Sequence, residues 1–168
     1  LNIRSKRVRP SLDDKVLTAW NALMITAFAQ GYQILGDEKY KDAAVEAARF
    51  IADDMIRDGE LLRTHRKGVS RLPAYLDDYA CTIVAFLDVY ESTFDVSWIT
   101  AAEELTETMI KKFWDEETDG FYYTSLDHKN LIVRTRTSQD GATPAGNSMA
   151  TFGLLRLSKF TDNDTYYD

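Results

Sequence analysis

Residues 20–40 read WNALMITAFAQGYQILGDEKY, residues 78–98 read DYACTIVAFLDVYESTFDVSW and residues 146–166 read GNSMATFGLLRLSKFTDNDTY, and the three blocks lie over one another without a gap. In this register Asn21 falls on Tyr79 and Asn147, Phe28 on Phe86 and Leu154, and Tyr40 on Trp98 and Tyr166. Apolar residues recur at the i, i+3, i+4 and i+7 spacing of one helix face. Each block closes on a polar turn: Gly36-Asp37-Glu38-Lys39, Asp95-Val96-Ser97 or Asp162-Asn163-Asp164. The closing aromatic is placed to pack that elbow into a second helix, so the repeat unit is an αα-hairpin. The blocks begin 58 and then 68 residues apart, giving two whole hairpins and the first half of a third.

Working outward, the spacing predicts helices over Thr18–Leu35, Asp42–Ile56, Asp78–Phe94, Thr100–Trp114 and Pro144–Phe160. Thr143, with Pro144 in the first turn, is expected to cap the last of these. Asp77 or Asp78 is expected to accept the free amides that open the third. Gly36 suits a C-terminal stop. The fold class is therefore all-α, built from tandem αα-hairpins. The hairpin elbows are short and the connections between hairpins, about residues 57–77 and 115–143, are long, which puts the long loops on one face. Both begin alike, with Asp58-Gly59-Glu60-Leu61-Leu62 and Asp119-Gly120-Phe121-Tyr122-Tyr123, and the second runs on to Leu131-Ile132-Val133. Small two-stranded β-ribbons are expected in these loops.

Composition narrows the function. The 168 residues carry 27 acidic and 20 basic side chains, a formal charge of -7. That balance argues against an electrostatic grip on nucleic acid or an anionic membrane. No apolar run approaches the roughly 20 residues of a membrane span. Cys81 is the one cysteine, with only His65 and His128 beside it, so neither a disulfide framework nor a metal centre is expected, and no cofactor. Cys81 lies among Ala80, Ile83 and Val84, where a thiol is inert. The single thiol and the lack of a signal core favour a cytoplasmic setting, and a start without Met or a hydrophobic core reads as a piece of something longer.

A solenoid that grows its loops on one side keeps its site there. That face receives the N-termini of the first helix of each hairpin and carries Asp13, Asp14, Arg63, His65, Arg66, Asp77, Asp78, Asp127, Arg134 and Asp140. Asp14 lies seven residues before Asn21 and Asp140 seven before Asn147, so repeats one and three carry a carboxylate and an amide in the same register. In the second repeat Leu72 and Tyr79 take those places, and the Asp13-Asp14 and Asp77-Asp78 pairs are not equivalent.

Four motifs, Arg9-Pro10-Ser11-Leu12-Asp13-Asp14-Lys15, Trp20-Asn21-Ala22-Leu23-Met24, Tyr75-Leu76-Asp77-Asp78-Tyr79-Ala80 and Asp140-Gly141-Ala142-Thr143-Pro144-Ala145-Gly146-Asn147-Ser148, resemble those of the YyaL-type proteins, also called thioredoxin-domain-containing or spermatogenesis-associated proteins. Ala22 and Ala145 stand where Gly and Ser are expected in that pattern, and His65 where an aromatic is more usual. The resemblance implies an N-terminal thioredoxin-like domain, absent from these residues, followed by an (α/α)6 toroid similar to six-hairpin glycosidases and N-acylglucosamine 2-epimerases. Residues 1–168 would then be a fragment of one toroid domain, less than half of a ring, with apolar helix faces left bare for missing neighbours or a homo-oligomer to cover.

Sugar-processing toroids place acids and bases at the mouth of the ring, and a hydrolase needs one protonated and one ionised carboxylate. Asp14, Asp78 and Asp140 are the catalytic candidates, although Asp at a helix N-terminus is also favoured by capping alone. Asn21, Tyr79 and Asn147 could present hydrogen-bonding groups to the hydroxyls of a small saccharide, or satisfy their own backbone in a buried polar layer. Trp20 could stack on a sugar ring or belong to the core. His65 and Arg66, in the basic first loop, could supply a base and an anion grip or remain solvated. Sugar epimerase, isomerase or hydrolase activity is one reading. The alternative is a non-catalytic scaffold that binds a ligand or protein beside a thioredoxin-like domain.

Overall fold

A computed structural model describes residues 2–128 and 131–167. Its helices are α1 (Thr18–Leu35), α2 (Glu38–Phe50), α3 (Leu76–Thr93), α4 (Ser97–Phe113) and α5 (Gly146–Thr161). The strands are β1 (Val16–Leu17), β2 (Ile56–Arg57), β3 (Glu60–Arg66), β4 (Val69–Pro73), β5 (Trp114–Asp115) and β6 (Gly120–Phe121). Helices α1, α3 and α5 run side by side as an inner row, and α2 and α4 return on the outside. Helix α3 is the centre, buried without a break from Asp78 to Val89. Its neighbours come close because glycine allows it. A Cβ on Gly146 would stand 2.9 Å from Leu76 Cγ, and one on Gly153 would stand 3.2 Å from Ile83 Cγ2.

The elbows repeat in detail. Gly36, Phe94 and Asp162 occupy the same place in the three blocks, and all three are left-handed, with φ of 68°, 57° and 54°. The next residue turns the chain with its side chain: the carboxylates of Asp37 and Asp95 accept the amides of Lys39 and Ser97 at 3.2 and 3.0 Å, and the Asn163 oxygen accepts that of Thr165 at 3.1 Å. The closing aromatics then pack back, Tyr40 on Phe28 at 6.1 Å and Trp98 on Phe86 at 5.1 Å between centroids. Glycine takes the left-handed conformation freely. Phe94 takes it at a cost, which is why sequence pattern extends α3 one residue too far.

Other differences have local causes. Helix α2 begins at Glu38 because Asp37 caps it, and its continuation over Ile51–Met55 widens to a π-helical turn that buries Ile51 and Met55. Thr143 does not cap α5. The helix starts at Gly146, and Asp140 accepts the Ala145 amide at 2.8 Å instead. The first long loop forms more than a ribbon, since β3 pairs antiparallel with β1, β2 and β4. The second has only the short β5–β6 pair, and Leu131-Ile132-Val133 forms no strand. Among the described residues no helix is long and apolar enough to cross a membrane.

Replacing Phe94 by Gly relieves a strained elbow and should stabilise the fold by about 0.5–1 kcal/mol. Asp95→Ala removes the turn acceptor and should lower stability. Urea unfolding of both variants measures the two signs.

Candidate functional site at the inner-helix mouth

The N-termini of α1, α3 and α5 meet at one end, and Asp78 is what joins the first two. One carboxylate oxygen accepts the Ala19 amide in the first turn of α1 at 3.1 Å. The other accepts the Tyr75 amide at 3.0 Å and an Arg63 guanidinium N–H at 2.8 Å. Asp78 is 1% exposed. Burial, and after it the charge of Asp77, push its pKa up to about 6 against those donors. Arg63 reaches it from β3, a strand anchored on both helices: Thr18 donates to the Leu62 carbonyl at 2.6 Å, and the Tyr79 hydroxyl accepts the Leu61 amide at 3.0 Å.

Around this pair stands a cluster that spacing alone did not assemble. Arg63 lies 4.5 Å from the centre of the Tyr75 ring and 3.5 Å from an Asp77 oxygen. Tyr123 meets Tyr75 at 4.9 Å between centroids, and His128 stands edge-on to Tyr75 at 6.0 Å. Tyr75 sits inside a quoted motif, so its place was readable. Tyr123 and His128 come from the second long loop, drawn in by the bond from the Leu76 amide to the Tyr123 carbonyl at 3.0 Å.

The remaining candidates are placed as follows. Asp14 is exposed and ion-paired with Arg66. Asp140 is exposed, and the Ala145 amide followed by the Ser148 hydroxyl holds its carboxyl below the usual range. The shared register of Asp14 and Asp140 therefore does not give shared roles, because Ala19, the counterpart of Ala145, is already capped by Asp78. Asn21 donates to the Leu17 carbonyl at 2.8 Å. Asn147 accepts the Phe121 amide at 2.9 Å and donates to the carbonyls of Phe121 and Thr137 at 3.0 and 3.1 Å. Tyr79 is buried in the core. The Ser70 hydroxyl donates to the Asp54 carbonyl at 2.5 Å, so His65 Nδ1, 2.9 Å from that hydroxyl, is the donor to it. Trp20, in the first turn of α1, is 66% exposed. Burial pushes the Cys81 thiol up to about 12. Among the described residues no group of three or more His, Cys, Asp or Glu is placed to hold a metal ion.

A mouth of acids, arginine and tyrosines over parallel inner helices invites comparison with known proteins, and a sequence profile of glycosyl hydrolase family 76 matches residues 10–168. The chain belongs to that family. Human spermatogenesis-associated protein 20 is 34% identical over 176 residues, covering 98% of this chain and 22% of that protein. The chain thus spans about a fifth of that relative. Several solved structures share its fold, among them the following two. A cellobiose 2-epimerase from Bacillus thermoamylovorans matches with a TM-score of 0.73 at 16% identity, over 90% of this chain and 41% of that one. A family 76 α-mannanase of Bacteroides thetaiotaomicron matches with a TM-score of 0.68 at 15% identity, over 94% and 44%. The glycosyl hydrolase 76 chain is accordingly part of a six-hairpin α/α toroid fold.

The raised pKa of Asp78 has a definite sign. The folded state holds this proton more tightly than the unfolded chain, so the group's contribution to stability falls as pH rises from about 4 to about 6. Arg63→Met removes the cation that opposes the shift and moves Asp78 further up. Urea unfolding should therefore show a larger loss for Arg63→Met at pH 8 than at pH 5. Equal losses would reduce Arg63 to packing on Tyr75.

Proposed function

We propose that this chain supplies one acidic wall of a saccharide site in a carbohydrate-active toroid, centred on the Asp77-Asp78 pair. The observation that carries this reading is the cluster at the α3 N-terminus, where two carboxylates, Arg63, and the rings of Tyr75 and Tyr123 occupy one place. Tyrosine rings offer apolar faces for the C–H surface of a pyranose, and carboxylates and guanidinium offer hydrogen bonds to its hydroxyls. Asp77, with its side chain 26% exposed, is the carboxylate open to a ligand, and Asp78 behind it carries a proton below about pH 6. Glycoside cleavage needs a proton donor beside a carboxylate, and Asp78 is the member of the pair whose proton is held up to about pH 6. On this reading Asp14, ion-paired with Arg66, and Asp140, at the start of α5, belong to the same acidic wall, with His65 on β3. Membership of family 76 and a toroid shared with an α-mannanase and an epimerase support the substrate class.

A second reading has an observation of its own. Asp78 already accepts three N–H groups and Asp140 caps α5, so both are satisfied as structural acceptors. A binding scaffold working beside a thioredoxin-like domain needs no more than that.

Calorimetry on the full-length protein with α-mannosides, cellobiose and monosaccharides separates the two. On the first reading a saccharide binds, Asp77→Asn and Tyr123→Ala weaken it at least tenfold while folding survives, and turnover falls as pH rises through about 6. Failure of every saccharide to bind, with the variants changing stability alone, favours the scaffold.

A further inference from the structure

Leu72 breaks a backbone rule that the rest of the described residues keep. Six of them other than glycine have a positive φ. Asp58, Lys67 and Asp119 each stand before a glycine at a turn, and Phe94 and Asp162 end helices α3 and α5. The sixth, Leu72, lies inside strand β4 with φ of 66°. An antiparallel strand has φ of about −140°. A branched side chain in the left-handed region crowds its own backbone, and glycine is the residue that goes there freely. Burial does not offset that strain, because Leu72 is 60% exposed. Neither the backbone nor the core therefore calls for leucine at this place.

Its position gives the side chain a use. The β3–β4 ladder pairs Leu62 with Pro73 and Thr64 with Arg71, which puts Leu72 opposite Arg63. Directly after the kink the chain turns inward: Ala74 is buried and donates to the Leu61 carbonyl at 3.0 Å, and Tyr75 follows with its ring 4.5 Å from Arg63. Leu72 thus stands at the rim of the cluster formed by Asp77, Arg63, Tyr75 and Tyr123. In the repeat it is also the counterpart of Asp14 and Asp140, both exposed and both spent on polar partners, Arg66 and the Ala145 amide. Of the three equivalent places, only the one beside Asp77 presents an apolar side chain.

We infer, resting on the saccharide site proposed above, that Leu72 is a specificity-determining contact of that site, its branched side chain lying against the C–H face of a sugar unit held at Asp77 and Tyr75. Backbone strain at an exposed residue beside a ligand site fits such a role, because the kink fixes where the side chain stands before the ligand arrives. The contact discriminates by what it cannot satisfy. Leucine accepts a sugar face made of C–H groups and rejects one that turns a hydroxyl towards it, since that hydroxyl would lose water and gain no partner. The acids and Arg63 then read hydroxyls on one side of the ligand, and Leu72 reads their absence on another.

The test is calorimetry of the full-length protein with α-mannosides and cellobiose at several temperatures, beside thermal unfolding. Leu72→Gly should weaken binding ~5-fold or more and make the heat-capacity change of binding less negative, because apolar contact is lost. The same variant should raise the unfolding midpoint, because the kink is relieved. Leu72→Met, which keeps an apolar side chain on the strained backbone, should recover most of the lost affinity. Wild-type affinity in Leu72→Gly, with binding still lost in Asp77→Asn, overturns this contact and leaves the saccharide site standing. Binding by Leu72→Met as weak as by Leu72→Gly overturns it too, since the backbone and not the side chain is then at work. A lowered unfolding midpoint for Leu72→Gly marks a packing residue and counts equally against it. Failure of every saccharide to bind the wild type sinks the site and this contact together.

Discussion

A single buried carboxylate holds the working end of this molecule together. Asp78 closes the first turn of its own helix and also caps the first turn of the neighbouring one, so two helix N-termini share one anion. Each terminus carries unpaired amides and a partial positive charge, and a carboxylate answers both. Burying it would be prohibitive without a counter-charge, and Arg63 provides one from β3. Strand β3 must then be fixed against both helices, which Thr18 and Tyr79 accomplish. The first long loop is ordered for this reason, and β1, β2 and β4 order themselves on it.

The same arrangement explains why the chemistry gathers at α3 and not evenly around the three repeats. Arg63, once turned in towards Asp78, spreads its charge over Asp77 and the Tyr75 ring. The second long loop closes over that ring through Tyr123 and His128. Repeats one and three have no such centre, because their carboxylates are spent differently: Asp14 on Arg66 and Asp140 on its own helix start.

What could be read from sequence follows the range of the interaction involved. The hairpins were legible because helical spacing and the pairs Phe28–Tyr40 and Phe86–Trp98 are written in residue type at fixed separation. Gly36 was legible as a left-handed stop for the same reason. Phe94 was not, since nothing in phenylalanine favours that conformation and only alignment with Gly36 and Asp162 reveals it. The acids were legible as a face but not as roles. Whether Asp14 caps Ala19 depends on a side chain that crosses from another helix, 59 residues away. Asn147 likewise spends its amide on Phe121, across a loop whose length carried no register.

A tandem repeat also gives exposure a reference. In a solitary helix an exposed tryptophan and methionine would be unremarkable, as scattered apolar residues cover much of any surface. In α1 they fall on the places that α3 and α5 bury against their predecessors. The capping logic runs in the same direction. Asp78 reaches back to α1 and Gly146 leans back on α3, so each inner helix is docked on the one before it. The mouth is therefore built stepwise, with the acid pair at α3 resting on α1 and the start of α5 resting on α3.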